Sequence, residues 1–472
     1  MLFQTPEFAL LFVATIILFY WLASKYRLSV LAIASFGFYA ASGTLDFVLL
    51  LGTVGLTYIL SKRVTVGGPR WPIFVAITLL FASLAYFKYD EFIYENLRSV
   101  FGSSIPSDRS PFLSTILPLG ISFYSFQIVG YFVDLHRGRA EQSRSLIEYA
   151  VFVTFFAQLI AGPIMRGKEY LPQLRNLSGG TWADARAGGL LILQGLWKKV
   201  VLADYIARSV DHRFAAESFT QPEAWIAAGL FTFQIYFDFS GYVDIAIGIG
   251  RMFGIKLTQN FRTPYLSRTP SEFWGRWHIT LSNWFRDYLY IPLGGNRHGR
   301  VREISALILV MAVAGLWHGA GWTFVLWGLI NGVYLAAHRF IPSDRLQALM
   351  PVSSRYRATV YQGFGIATFF TLTVLAWIPF RAPDISTTME IYRAAFSFSG
   401  FGDWVAEAKW MIVIGGLYMF HVAEWWVSDR TTSVEAIWTK IPSPARGIVY
   451  AGALLLTIIF SGPQQSFIYF RF

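Results

Sequence analysis

The 472-residue chain contains no cysteine. Disulfides, thiolate metal sites, haem or iron–sulfur ligation through Cys and a Cys nucleophile are therefore excluded. Any covalent or metal chemistry must rest on His, Asp, Glu, Ser, Thr, Tyr or Lys. Charge is also scarce: Asp, Glu, Lys and Arg together make up 14%, against about 25% in ordinary soluble domains. There is no low-complexity tract and no internal repeat, which withdraws support from a transporter built of two similar halves. What the chain has in excess is apolar surface, with 55% hydrophobic residues, 18% aromatics and 17 Trp, and a mean hydropathy of +0.47. These residues come in long runs, not in one-faced or alternating patterns. Disordered, collagen-like, coiled-coil and disulfide-scaffold classes are excluded, and a polytopic membrane protein remains.

A helix needs about 20 apolar residues to cross the hydrocarbon core. Candidate spans are 8–23, 28–43, 45–60, 71–87, 113–135, 148–165, 190–207, 223–250, 304–335, 357–379, 408–427 and 447–462. The first has no Lys or Arg before it and ends in Ser24-Lys25-Tyr26-Arg27 without a small-residue cleavage site. It reads as a span with its basic flank inside, not as a signal peptide. Early loops alternate in charge, and the positive-inside rule puts the N-terminus outside through five spans. From 148 to 222 the alternation fails and topology stays open. The pair Lys198-Lys199 in mid-segment costs roughly 2.5–3.5 kcal/mol per charge on insertion scales. On that ground 183–208 is expected to be an interfacial or re-entrant helix.

Residues 251–302 stand apart. They hold nine of the chain's Lys and Arg residues, from Arg251 to Arg302, against Glu272 and Asp287, and so carry most of its +11 net charge. Such a basic segment suits a cytoplasmic loop, an anchor on anionic lipid, or a receptor for a polyanionic substrate; charge alone favours the loop. Interleaved aromatics also suit single-stranded nucleic acid, a use set aside within a membrane protein.

Histidine narrows the chemistry further. His278 closes Phe273-Trp274-Gly275-Arg276-Trp277-His278, and His318 lies in Gly315-Leu316-Trp317-His318-Gly319. The run Ile304–Leu335 has no charged side chain and is too short for two full spans. One tilted helix or two short ones meeting near Gly315, Gly319 and Gly321 would each put His318 at membrane depth. An ionisable group there is costly and usually faces a cavity. An imidazole is the usual general base for a hydroxyl, although a buried His is also often only a hydrogen-bonded core residue. No HExxH, HxH or paired carboxylates at ligand spacing are present, so no metal is assigned. Asp238 and Asp244, in one span, read either as a proton relay or as a polar kink satisfied by neighbours.

The ordered stretch from Asp238-Phe239-Ser240-Gly241-Tyr242 through Asn260-Phe261, Pro264-Tyr265-Leu266-Ser267 and Glu272-Phe273-Trp274-Gly275-Arg276-Trp277-His278 to Tyr290-Ile291-Pro292-Leu293-Gly294-Gly295-Asn296-Arg297, followed by Trp317-His318-Gly319, resembles the bacterial membrane-bound O-acyltransferases. Within that family it is most similar to the branch that acetylates alginate-like polysaccharides. The close match covers 236–335.

The resemblance implies a single all-α membrane domain over 1–472, with about eleven transmembrane helices plus re-entrant helices and a thinned centre. The core motifs would lie in 236–335, and 251–302 would be a basic cytoplasmic or re-entrant segment. It implies that His318 is the essential catalytic histidine and His278 the second, with Trp274, Arg276, Asn283, Trp317 and Asp238 along a donor channel. The implied reaction moves acetyl from acetyl-CoA or an acyl-carrier phosphopantetheine thioester, with no permanently bound cofactor. The implied setting is the bacterial inner membrane, with an exopolysaccharide acceptor and a periplasmic acetyltransferase partner of SGNH-hydrolase type. Peptidoglycan O-acylation and teichoic acid D-alanylation belong to the same family. A proton-coupled transporter is the alternative from another class. One departure is Gly275, where relatives often carry a larger polar or basic residue, which bears on the pocket wall.

Overall fold

The computed structural model of the chain describes residues 3–102, 117–340, 354–397, 403–429, 438, 440–460 and 467–468. The first residues of the expected span 113–135 and the last of 447–462 lie outside them. Among the described residues every regular element is helical. The first helices are α1 (Pro6–Trp21), α2 (Arg27–Ala40), α3 (Thr44–Ser61), α4 (Trp71–Phe87), α5 (Asp90–Phe101), α6 (Ile121–His136), α7 (Leu146–Thr154), α8 (Gly167–Arg175) and α9 (Trp182–Leu196). Then come α10 (Asp204–Phe214), α11 (Gln221–Met252), α12 (Pro270–Trp274), α13 (Ile279–Phe285), α14 (Arg300–His318) and α15 (Trp322–Phe340). The last are α16 (Ser354–Arg381), α17 (Ile385–Ala395), α18 (Asp403–Ala406), α19 (Ala408–Asp429) and α20 (Ser443–Ile459). Two π-helical stretches, Trp197–Ala203 and Arg286–Tyr290, follow α9 and α13.

Among the described residues four helices are long and apolar enough to cross a membrane: Thr44–Ser61, Arg300–His318, Thr359–Arg381 and Ala408–Ser428. A fifth span results if α4 and α5, bent by 72° from each other, count as one. The expected figure of about eleven is not reached on length and hydropathy, because α1 and α20 are short, at 16 and 17 residues, and other helices carry buried charge.

Packing divides the chain into two compact units. The first comprises Met1–Gln194 with Tyr242–Thr258. Its helix starts are set locally: Thr5 caps α1 ahead of Pro6, and Ser145 caps α7 by accepting from the Glu148 N–H at 3.1 Å, which satisfies otherwise orphaned donors. Its core is aromatic and hydrogen-bonded. Phe8, Phe38 and Phe156 pack together, Tyr149 donates to Thr57 at 3.0 Å, and the buried Glu148 takes Arg175 Nε at 2.7 Å. Helix α9 and the end of α11 cross at Gly188 and Gly248, where a Cβ on either would lie 2.5 Å from the other's carbonyl oxygen. Only glycine allows so close a crossing. Asp244 lies here and accepts from Gln194 Nε2 at 3.2 Å.

The second unit, Gly195–Gly241 with Gln259–Phe472, holds every expected site residue. Helices α14 and α15 form its tightest pair. A Cβ at Gly315 would sit 2.1 Å from the Phe324 oxygen, and one at Gly328 would sit 2.2 Å from the Met311 oxygen. The charge-free run is thus resolved as two helices of 19 residues each, each about 28 Å long. They reach full length because they extend past the apolar run into Arg300–Glu303 and His338–Phe340, which charge counting had assigned to loops.

Lys198 and Lys199 also fall in this unit, 3% and 5% exposed. They are paired, not snorkelled to an interface: Lys198 Nζ lies 2.5 Å from Glu424 Oε1. Lys199 Nζ lies 2.8 Å from Asp204 and 2.5 Å from Asp238. The insertion cost that motivated an interfacial helix is offset by these partners, one of them more than 200 residues away in sequence.

Candidate active site

His318 is the last residue of α14 and is 3% exposed. The turn Gly319–Gly321 returns the chain into α15 at once, which fixes the imidazole at the head of the hairpin. Aromatic rings box it in: Trp317 at 5.0 Å, Trp327 at 5.1 Å and Phe380 at 5.3 Å between centroids, all edge-on. Trp377 stacks on Trp327 and packs against Phe380, so the box has a second layer. Such a site excludes water, and it strengthens any polar interaction made inside it.

One face stays open. A cavity of about 210 Å³ is lined by His318, Trp274, Ser282, Arg286, Arg339 and otherwise mostly apolar side chains. Arg339 also pairs with Glu303 at 3.4 Å, near the start of α14. Glu303 and His318 are fifteen residues apart on one helix, about 22 Å. The cavity therefore has the Arg339 guanidinium toward one end and the His318 imidazole toward the other, while Arg286, also in the lining, bonds Asp287 at 2.8 Å. A larger groove of about 760 Å³ between α11, α16 and α19 is lined by no imidazole, carboxylate or cation.

His278 is built differently. It is fully buried and holds φ 42°, ψ 54°, the left-handed region, as N-cap of α13. A non-glycine residue there stores strain, and Asn260 holds it in place. The Asn260 carbonyl accepts from Ile279 N at 3.0 Å. Its side-chain oxygen accepts from both Thr280 N at 3.0 Å and Thr280 Oγ1 at 2.7 Å. The ring of His278 packs against Phe239 at 4.8 Å and Trp317 at 6.3 Å. Burial pushes its pKa down to about 3, so the imidazole is neutral at working pH. His278 is not among the residues lining the cavity; its ring and that of His318 both pack edge-on with the Trp317 indole.

The other expected residues divide. Trp274 lines the cavity and packs edge-on against Trp327 at 5.8 Å, and Trp317 is central as described. Arg276 turns to Glu272 at 2.7 Å, outside the lining. Burial opposes ionisation of Glu272, but the Arg268 N–H and the Arg268 and Arg276 charges outweigh it and hold its pKa below the usual range. Asn283 is half-buried and does not line the cavity; the adjacent Ser282 does. Asp238 bridges Lys199 and the chain's end, accepting from Ile468 N at 2.7 Å, and is likewise outside the lining. Gly275 is exposed at the end of α12, so its departure from the family pattern does not bear on the pocket wall. Asn260, Ser282, Trp327, Phe380 and Arg339 were not singled out from sequence. Asn260 and Ser282 had a signal, as part of the motif stretch around them.

Residues 107–378, more than half of the chain, match the model of the membrane-bound O-acyltransferase family. The chain belongs to that family. It is 39% identical to a probable alginate O-acetylase of Pseudomonas putida, with both chains covered in full. It is 34% identical to a peptidoglycan O-acetyltransferase of Helicobacter pylori over 85% of this chain and 80% of that one. It is 28% identical to a teichoic acid D-alanyltransferase of Streptococcus thermophilus over 56% and 68%. This membrane-bound O-acyltransferase is an acyl-transferring enzyme and a multi-pass membrane protein. The matched region takes in His278, His318, the boxing indoles and all but the last turn's end of α16.

Proposed function

We propose that this enzyme transfers acetyl from a cytoplasmic thioester, acetyl-CoA or an acyl-carrier phosphopantetheine, across the bacterial inner membrane for O-acetylation of an exported, alginate-like polysaccharide. The observation that carries the reading is His318 in the lining of a mostly apolar cavity that also holds Arg286 and, toward the start of α14, Arg339. The mostly apolar lining around His318 suits an acetyl group on a slender thioester arm better than a charged nucleotide. The guanidinium groups suit the phosphates that such a donor keeps outside.

In the transfer, a hydroxyl oxygen attacks the thioester carbonyl, the C–S bond breaks, and the hydroxyl proton passes to His318 and on to the departing thiolate. The box of rings keeps water from competing for the acyl group. Neutral, strained His278 is a positioning residue that sets Trp317 and through it the His318 ring. A periplasmic acetyltransferase of SGNH-hydrolase type would complete the modification.

Full-length similarity to the alginate O-acetylase favours a polysaccharide acceptor over peptidoglycan or teichoic acid. A proton-coupled transporter is disfavoured, because Asp238 is held by Lys199 and a backbone N–H. The test is His318→Ala. Acetyl content of the exported polymer should fall by at least a hundredfold with membrane insertion unchanged; unaltered acetyl content would remove His318 from the mechanism.

A further inference from the structure

A second cavity, of about 500 Å³, lies along α10 in the same unit as His318. Two rows of that helix line it at i, i+4, i+8 spacing: Asp204, Arg208 and His212, then Tyr205, Ser209 and Arg213. Trp410 at the start of α19 and Phe460 just after α20 close it. Its charges are unevenly used. Arg213 is committed to Glu407 at 2.5 Å and Asp204 to Lys199 at 2.8 Å. Arg208 is exposed and makes no ion pair among the described residues. Tyr205 and Phe460 expose 64% and 51% of their surface.

From this set we infer a binding site for a sugar acid: a carboxylate-bearing pyranose of the acceptor polymer, with Arg208 taking the carboxylate. The exposed rings of Tyr205 and Phe460 offer the flat apolar surface that a pyranose C–H face covers. Ser209 and His212 are placed to hydrogen-bond its hydroxyls, and the Asp204 carboxylate can accept from them. One uncompensated guanidinium beside a carboxylate suits a monoanion carried on a polar ring. A phosphate, with more charge, would meet repulsion from Asp204 and find a single cation.

The position fits an acceptor. Asp211, on the same helix, accepts from Arg381 at 2.7 Å, and Arg381 follows Phe380, which packs on His318. Phe214 reaches the same box through Phe231, at 6.0 and then 6.4 Å. The cavity thus belongs to the His318 end of α14, and Arg339 with Glu303 belongs to the Arg300 end. The inference rests on the polysaccharide reading of the function and deepens it: the polymer docks on the membrane enzyme itself, and any partner acetyltransferase works on a chain held here.

The experiment is calorimetric binding of a hexameric oligouronate to the full-length protein in nanodiscs, at low and high salt. A neutral hexaglucan, glycerol phosphate and added phosphatidylglycerol are the comparison arms. The oligouronate should bind with salt-sensitive affinity, at least fivefold tighter than the neutral sugar. Arg208→Gln should weaken it at least fivefold and Arg208→Lys less, with Tyr205→Ala lowering affinity for charged and neutral sugars alike. Equal binding by Arg208→Gln, equal binding of the hexaglucan, or no binding by the unaltered protein overturns the proposal. Displacement by phosphatidylglycerol or glycerol phosphate at similar concentration also overturns it and assigns the cavity to a lipid headgroup. His318→Ala should bind like the unaltered protein, so a failure of the catalytic assignment would leave this result standing, and the reverse.

Discussion

Replacing Lys199 with Met removes the one cation that two buried carboxylates share. Lys199 is 5% exposed and Asp238 2% exposed, and the ammonium lies 2.5 Å from Asp238 and 2.8 Å from Asp204. Methionine nearly matches the volume of the lysine stem, so packing changes little and the loss is electrostatic. Removing one partner of a buried pair costs about 3–5 kcal/mol, because the remaining charge stays desolvated. At roughly 2–4 °C per kcal/mol for folding units of 150–250 residues, the unfolding midpoint should fall by roughly 10 °C. Tryptophan fluorescence during heating of the detergent-solubilised protein reads this directly. Asp238→Asn in the Lys199→Met background should recover part of the loss, since one stranded charge is gone; the coupling expected for residues in contact is about 1–3 kcal/mol. A Lys199→Met protein as stable as the unaltered one would refute the reasoning and mean that water reaches the cluster. A proton-relay role for Asp238 predicts the opposite pattern, with turnover lost and stability kept.

Three further outcomes follow from the site. Asn260→Ala should free the left-handed turn at His278 and leave the Thr280 donors unsatisfied, at a cost of about 1–3 kcal/mol. Acetyl transfer should fall by more than the loss of folded protein explains, with Asn260→Asp restoring part of it. The depressed pKa of His278 makes the unfolded chain bind one more proton between its pKa near 6.5 and about 3. Its contribution to stability is complete above the unfolded pKa and is lost as pH falls below it, by about 1.4 kcal/mol per pH unit. His278→Gln should flatten the acid limb of a melting-temperature profile. Gly328→Val places a Cβ against the Met311 carbonyl oxygen and should prevent closure of α14 on α15, read as loss of folded monomer on size exclusion.

The membrane class, and a histidine beside tryptophan within an apolar run, were legible in the sequence, because apolar runs and a lone ionisable group within one are local signals. Trp274 and Trp317 were legible for the same reason. Long-range neutralisation was not. Lys198 and Lys199 looked like an interfacial marker because Glu424, Asp204 and Asp238 pair with them only in the fold. Helix ends were misjudged because Arg300–Glu303 and His338–Phe340 are charged yet helical. Ser282 replaced Asn283 in the cavity because one residue turns a helix by about 100°, a rotation that motif spacing alone does not resolve. Phe380, 62 residues beyond His318 in the numbering, carried no signal at all.

The two histidines, ranked in the sequence as the first and the second site residue, have different surroundings in the fold. A general base must touch the reacting hydroxyl and exchange its proton. His318 lines the cavity and ends a helix whose hairpin fixes its place. His278 is sealed by Phe239, Phe261 and Trp317, and burial works against its carrying a charge. It also sits in a strained turn, held by three hydrogen bonds that Ile279 and Thr280 donate to Asn260. Such strain persists only where the surrounding structure over-determines it, and in the function proposed above its use is to hold the indole against His318. On the function proposed above, one imidazole moves the proton and the other keeps the first within reach of it.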